Sequence, residues 1–275
     1  TKDKNATNPE NKYYTITVIG NGQISWNYGD STCPLSIIIK ANLTDNSTNK
    51  NGLIIKNNVD NKSDGEVTCR GMLYGNVNCY SITSRITNFN FFGNVTLDTN
   101  KGTANEGVFH GDVVASKANY ATFYGKVTAT EVKKGKYYGE VIATNPIKSG
   151  KFYNVTNISK LNLAEGYLAY YLGENAYEIS ENSYHYATIT RGDKTIIFNN
   201  HNYLARPSVA ITSGDIITIH NTTTSTTTDV KLVDGAKIKI DEGIEYIVTD
   251  HFIPCDDNHE IQLVDGYYQN VEKTN

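Results

Sequence analysis

Toward the C-terminal end of this 275-residue chain, His251, Cys255, Asp256, Asp257, His259 and Glu260 fall within one short stretch. A thiolate, imidazoles and carboxylates together suit a divalent transition ion. Their spacing follows none of the established ligand patterns, and Pro254-Cys-Asp-Asp-Asn258 reads equally well as a surface turn. No metal and no cofactor is assigned. Arg191-Gly192-Asp193 has the composition of the tripeptide read by integrin-like receptors. It lies between two predicted strands, where Gly-Asp makes a hairpin turn, and the turn is the reading adopted. Acid–base catalysis needs two carboxylates, or a His with a nucleophile, converging in a cleft. The carboxylates here are scattered: Asp112 and Glu140 stand two repeats apart with Lys126 between them. No catalytic residue is assigned, and the chain is expected not to be an enzyme.

Behind these side chains stands a repeat. Five copies of one pattern read Leu73-Tyr-Gly75-Asn-Val77, Phe91-Phe-Gly93-Asn-Val95, Phe109-His-Gly111-Asp-Val113, Phe123-Tyr-Gly125-Lys-Val127 and Tyr137-Tyr-Gly139-Glu-Val141. The glycines advance by 18, 18, 14 and 14 residues. Side chains alternate faces along a strand. The first residue, the Gly and the Val of each copy therefore share one face, expected to be the buried core. The Gly either lets another backbone approach or bends the strand. The polar position changes from Asn76 and Asn94 to Asp112, Lys126 and Glu140, so its charge is expected to be free. The opposite face also carries Tyr74, Phe92, Tyr124 and Tyr138, with Tyr80 nearby. A row of exposed aromatics marks a possible interface with another copy of the chain or with a sugar surface. One rung cannot bury its own inner face, so neighbouring rungs or chains must cover it. The stretch is read as a β-solenoid or as one strand-set of an intertwined trimeric β-helix.

Composition points the same way. Twenty Tyr and abundant Thr, Asn and Gly favour strands and turns, giving an all-β fold class. The net charge of −4 comes with no basic stripe, so nucleic acid is not an expected partner. No apolar run approaches the roughly 18–20 residues that span a bilayer, so membrane insertion is not expected. Residues 1–62 are predicted to hold a polar arm and a small β-domain. That domain has a hairpin around Gly20-Asn21-Gly22 and a loop over Asn42–Gly52. Residues 63–158 form the repeat shaft, in which a weaker copy at Gly65-Glu-Val67-Thr-Cys69 precedes the five. Cys69 and Cys79 both take small inner positions; a bridge between them is geometrically allowed but not required. Residues 159–183 make a connector in which Leu161, Ala164, Leu168 and Tyr171 have the spacing of a short helix. Residues 184–275 return to short strands, including Ser208–Ile211 and Glu245–Val248, and suggest a sandwich or barrel-like domain.

The segment from Ala121 to Ala143, with Thr122-Phe-Tyr-Gly125-Lys-Val127-Thr-Ala129 at its heart, resembles the "TF-x-G-x-V-x-A" repeats of tailed-bacteriophage fibre and appendage proteins. The same Gly-x-Val-x-Ala texture is similar, less closely, to bactofilins, the polymerising bacterial β-helices. The phage resemblance implies a homotrimeric virion fibre at the virion surface or outside the cell. Its β-helical shaft would serve as a rigid spacer, its N-terminal part would attach to other virion proteins, and its C-terminal head would meet a host glycan or protein. A bacterial surface adhesin or polymerising β-helix protein is the alternative, and a β-helical polysaccharide depolymerase is the third. No catalytic residue carries over from either family.

Overall fold

The computed structural model describes residues 14–18, 23–26, 36–45, 54–57, 70–84, 89–222 and 228–274. The chain divides into two compact units, the first reaching Lys151 and the second holding most of the residues from Phe152 to the C-terminal end. The polar arm and the weak copy around Val67 lie outside the described residues. Among the described residues, no helix is long and apolar enough to cross a membrane.

The first unit is a β-solenoid in which strands of successive turns stack in parallel. One column runs Tyr14–Val18, Ala41–Asp45, Val77–Cys79 and Val95–Leu97, then the start of Val113–Asn119, the start of Val127–Val132, and Val141–Ala143. A second runs Gln23–Trp26, Ile54–Asn57, Ser81–Ser84, Thr103–Asn105 and the later parts of Val113–Asn119 and Val127–Val132. A third runs Ser36–Ile39, Arg70–Leu73, Phe89–Phe91, Val108–Phe109, Thr122–Phe123 and Lys136–Tyr137. Each strand pairs with the next turn of its own chain. A single chain therefore covers its own inner face, and of the two expected architectures it is the solenoid that forms.

The registers explain the two repeat lengths. Thr96 pairs with Val114 and Thr103 with Lys117, so the corner Asp98–Gly102 stands where the next turn has Ser116 alone. The turn before it places its extra residues at another corner, since Thr83 pairs with Asn105 and Asn90 with Val108. The shorter, 14-residue step is thus the bare turn, and the 18-residue steps carry a loop at one corner or another.

Two expectations for the N-terminal region are corrected. Tyr14–Val18 and Gln23–Trp26 do not pair as a hairpin; they pair in parallel with Ala41–Asp45 and Ile54–Asn57. These strands belong to the same columns as the repeats, and among the described residues they form no separate small domain before the shaft. The predicted loop from Asn42 begins inside a strand. Leu43 takes the Val position opposite Val77, and Ile39 takes the aromatic position opposite Leu73. Ile39-Lys-Ala41-Asn-Leu43 is therefore a further copy, with Ala for Gly and Leu for Val.

The connector is also corrected, because it holds no α-helix. Tyr167–Gly173 and Ala176–Glu181 form an antiparallel hairpin. Glu174 and Asn175 turn it with φ of 50° and 56°, the left-handed pair of a type I′ turn. Tyr-rich alternation outweighs the helical spacing of Leu161, Ala164, Leu168 and Tyr171.

Beyond it, Lys194–Phe198, Ala187–Arg191, Ile216–Ile219, Lys237–Ile240, Tyr267–Glu272 and His259–Val264 make one mixed sheet. Val230–Lys231 and Phe252–Ile253 make a small second one. Ile189, Phe198, Ile217 and Ile238 from the first meet Val230, Leu232 and Phe252 in one core. Neither Ser208–Ile211 nor Glu245–Val248 is a strand. Ala210 has φ of 39°, and Val248 starts a 3₁₀ turn. The hairpin closed by Asp265-Gly266, with φ of 50° and 81°, carries a turn dipeptide that sequence reasoning passed over.

Candidate functional site

The repeat residues converge as one stacked array. Leu73, Val77, Phe91, Val95, Phe109, Val113, Phe123, Val127 and Tyr137 are buried to within 1%. Phe91, Phe109, Phe123 and Tyr137 stack face to face, with centroids 4.7–5.0 Å apart and planes within 12°. The Tyr in the last of these rungs keeps its hydroxyl satisfied: its one proton is shared between the carbonyls of Lys133 and Ala118, at 2.8 and 3.1 Å. Burial pushes that phenol far above its ordinary pKa. Val141 departs from the expectation of a fully buried core. It is half-buried, because its strand has a partner in the column on one side only, Val127–Val132.

Gly75, Gly93, Gly111, Gly125 and Gly139 sit at the bend between the third column and the first. A Cβ on each would run into backbone of the turn before it: the Ala41 carbonyl for Gly75, then the carbonyls of Gly75, Gly93, Gly111 and Gly125 in order. Close approach fixes these glycines, since none has a positive φ. The neighbouring polar position is exposed and varies in charge, and its side chains also make contacts that the sequence reading did not foresee. Asn42, Asn76, Asn94 and Asp112 each accept, through Oδ1, the backbone N–H of the same position one turn on, at 2.7–3.0 Å. Lys126 ends this ladder and instead pairs its Nζ with Glu140 at 2.9 Å. An Asn or Asp side chain suits the first four positions because it reaches one strand spacing. We expect Asn94→Ala to cost about 1 kcal/mol by leaving the Asp112 N–H without its acceptor, measured by chemical denaturation.

Tyr74, Phe92, Tyr124 and Tyr138 do line up, joined by His110, which sequence reasoning passed over. Consecutive centroids lie 4.5–5.1 Å apart and planes agree within 19°. The rings cover one another's faces and turn only their edges outward. A pyranose stacks on a ring face, so this column is a poor sugar platform. Tyr80 is half-buried and has no place in the column. A shallow groove of about 420 Å³ is lined by Asn42, Thr44, Asn76, Asn78, Asn94 and Thr96.

In the second unit, Arg191 forks onto Asp215 at 2.8 and 2.6 Å and also donates to the Ala210 carbonyl. Burial opposes the Asp215 charge, but Arg191 and the Thr212 N–H hold its carboxyl below the usual range. Arg191 is thereby committed to the fold, and Gly192-Asp193 forms the expected turn. Thr188 Oγ1, His220 Nε2, His220 Nδ1 and Asp241 Oδ2 are linked at 3.0 and 2.6 Å. The order is that of a hydroxyl–imidazole–carboxylate relay. Thr188, however, is 8% exposed and paired between Ile197 and Thr218 in mid-sheet, where a substrate carbonyl has no approach. No sequence signal linked residues so far apart.

His201 is fully buried. Its Nε2 donates to the Thr228 carbonyl at 3.0 Å, so Nδ1 accepts from Tyr186, whose oxygen accepts in turn from Tyr246. Burial lowers the His201 pKa and pushes Tyr186 up to about 12. Below pH of about 6.5 the unfolded chain takes up a proton that folded His201 refuses. Stability is therefore full above that pH and falls as pH drops toward the lowered folded value. Thermal melts of the whole chain should show a lower midpoint at about pH 5.5 than at about pH 7.5. His201→Gln should shrink the difference.

The C-terminal cluster is partly assembled. Sγ of Cys255, a carboxylate oxygen of Asp256 and a ring nitrogen of His259 lie within 4.8 Å of one another. His251 packs instead on Tyr246 and His201, and Glu260 accepts from Gln262. Cys79 is buried in the solenoid, while Cys69, the other half of the allowed bridge, lies outside the described residues. Nothing among family models, curated proteins or solved structures matches this chain, so its assignment as a β-solenoid protein rests on the stacked parallel columns themselves.

Proposed function

We propose that the chain is a rigid structural spacer with an attachment role, of the kind found in bacteriophage fibres and appendages, and not an enzyme. The observation that carries this reading is the continuous ladder of glycine, Val and stacked rings inside the first unit. Its dimensions are fixed by backbone contact, while the outer face varies in charge. Such a stack resists bending because every interior rung is hydrogen-bonded to two others along its length. The inner face is buried by one chain alone, so a trimer would join outer faces. The exposed ring edges of Phe92 and Tyr124, at 38% and 48%, suit contact with a second copy or another virion protein better than a sugar.

The test is electron microscopy and sedimentation of the purified chain. Discrete rods of fixed length, as single chains or closed oligomers, are the expected result. Open-ended filaments would favour the polymerising β-helix reading. Release of reducing ends from bacterial polysaccharide would overturn the non-enzymatic one.

A further inference from the structure

We propose that Cys255, Asp256 and His259 form a binding site for one Zn²⁺-class divalent ion. Three ligand atoms of different chemistry converge within 4.8 Å, and thiolate, imidazole and carboxylate are the three donor types that zinc takes from proteins. Cys255 is a half-buried free thiol and Asp256 and His259 reach the surface, so an ion can enter and keep a water as its fourth ligand. His259 Nδ1 and Asp256 Oδ1 already share a proton across 2.6 Å. The ion replaces that proton after a small opening of the pair, and it displaces the thiol proton as well.

The loop that carries the ligands is held in place. The Cys255 N–H donates to Asn270 Oδ1 at 3.1 Å, and Asn270 Nδ2 donates to the Leu232 carbonyl at 2.9 Å. Lys273 ties down the far side, its N–H on the Asn258 carbonyl and its Nζ on the Asp257 carbonyl, both at 2.8 Å. His259 opens the strand His259–Val264 and is paired with Glu272. The ligands thus start from a braced hairpin and lose little freedom on binding. Asp234 acts on both Cys255 and His259, and Glu272 on His259, while the cation Lys231 acts on Asp256.

The experiment titrates the full chain, kept reduced, with ZnCl₂ by calorimetry and with CoCl₂ by absorption. One equivalent should bind, with proton release, and cobalt should give a thiolate charge-transfer band. Cys255→Ser should abolish the band, and His259→Gln should weaken zinc affinity at least about 100-fold. Excess Mg²⁺ should not compete, since it prefers an all-oxygen shell. No binding by the parent chain, or equal binding by parent and both variants, would overturn the site. Melts without metal check that the variants still fold.

Discussion

Gly125→Ala should destabilise the solenoid by about 3 kcal/mol or more. The sign is the informative part. At a position with no positive φ, replacing Gly by Ala ordinarily stabilises by about 0.4–1 kcal/mol, because the unfolded chain loses freedom. Here the added methyl meets the Gly111 carbonyl, a backbone group of the turn before. It cannot rotate away as a side chain would, so two turns must part. Gly166→Ala makes the contrast. Nothing lies near a Cβ there, but φ is 77°, and only the conformational penalty of about 1–2 kcal/mol should appear. Urea unfolding of both variants separates the two causes, and a neutral Gly125→Ala would remove the close-approach explanation.

Val127→Asp should cost about 3–5 kcal/mol, enough to unfold much of the shaft. Val127 has no exposed surface and lies between Val113 and Val141 in its column. A carboxylate there has neither water nor a partner, so it must be protonated or break the stack. Lys126→Asp, one residue away, should stay within about 0.5 kcal/mol. It gives up an exposed pair with Glu140, worth little in solvent. In exchange it offers the Glu140 N–H an oxygen, as Asp112 does for Lys126. Circular dichroism melts of the two variants test the assignment of faces, and equal tolerance would contradict it.

The core of the solenoid was legible because a period of two cannot drift when one face must be dry. Phe109, Val113, Phe123 and Val127 could be placed from parity alone. The first turns were harder. Ile39-Lys-Ala41-Asn-Leu43 keeps the sizes of the repeat but loses its Gly and Val, and pattern matching on letters misses conserved volume. The Asn ladder was hidden for the opposite reason. Its letters were plain, but a hydrogen bond to the next turn requires knowing which residues become neighbours, and only the register tells that. The same holds for Thr188, His220 and Asp241, and for the choice of Cys255, Asp256 and His259 over His251 and Glu260. Composition suggested the chemistry, while the hairpin at Asp265-Gly266 and the bracing by Asn270 decided which groups meet. The connector failed because the helical spacing of Leu161, Ala164, Leu168 and Tyr171 was followed across what is the strand Tyr167–Gly173, and Glu174-Asn175 turns that strand into a hairpin.

The two lengths of turn carry an evolutionary consequence. Since extra residues enter the described turns at corners, a tandem duplication of fourteen codons lengthens the solenoid by one strand spacing, roughly 4.8 Å, and needs no new core. Its length then changes in quanta, set by counting, much as a ruler is cut between its marks.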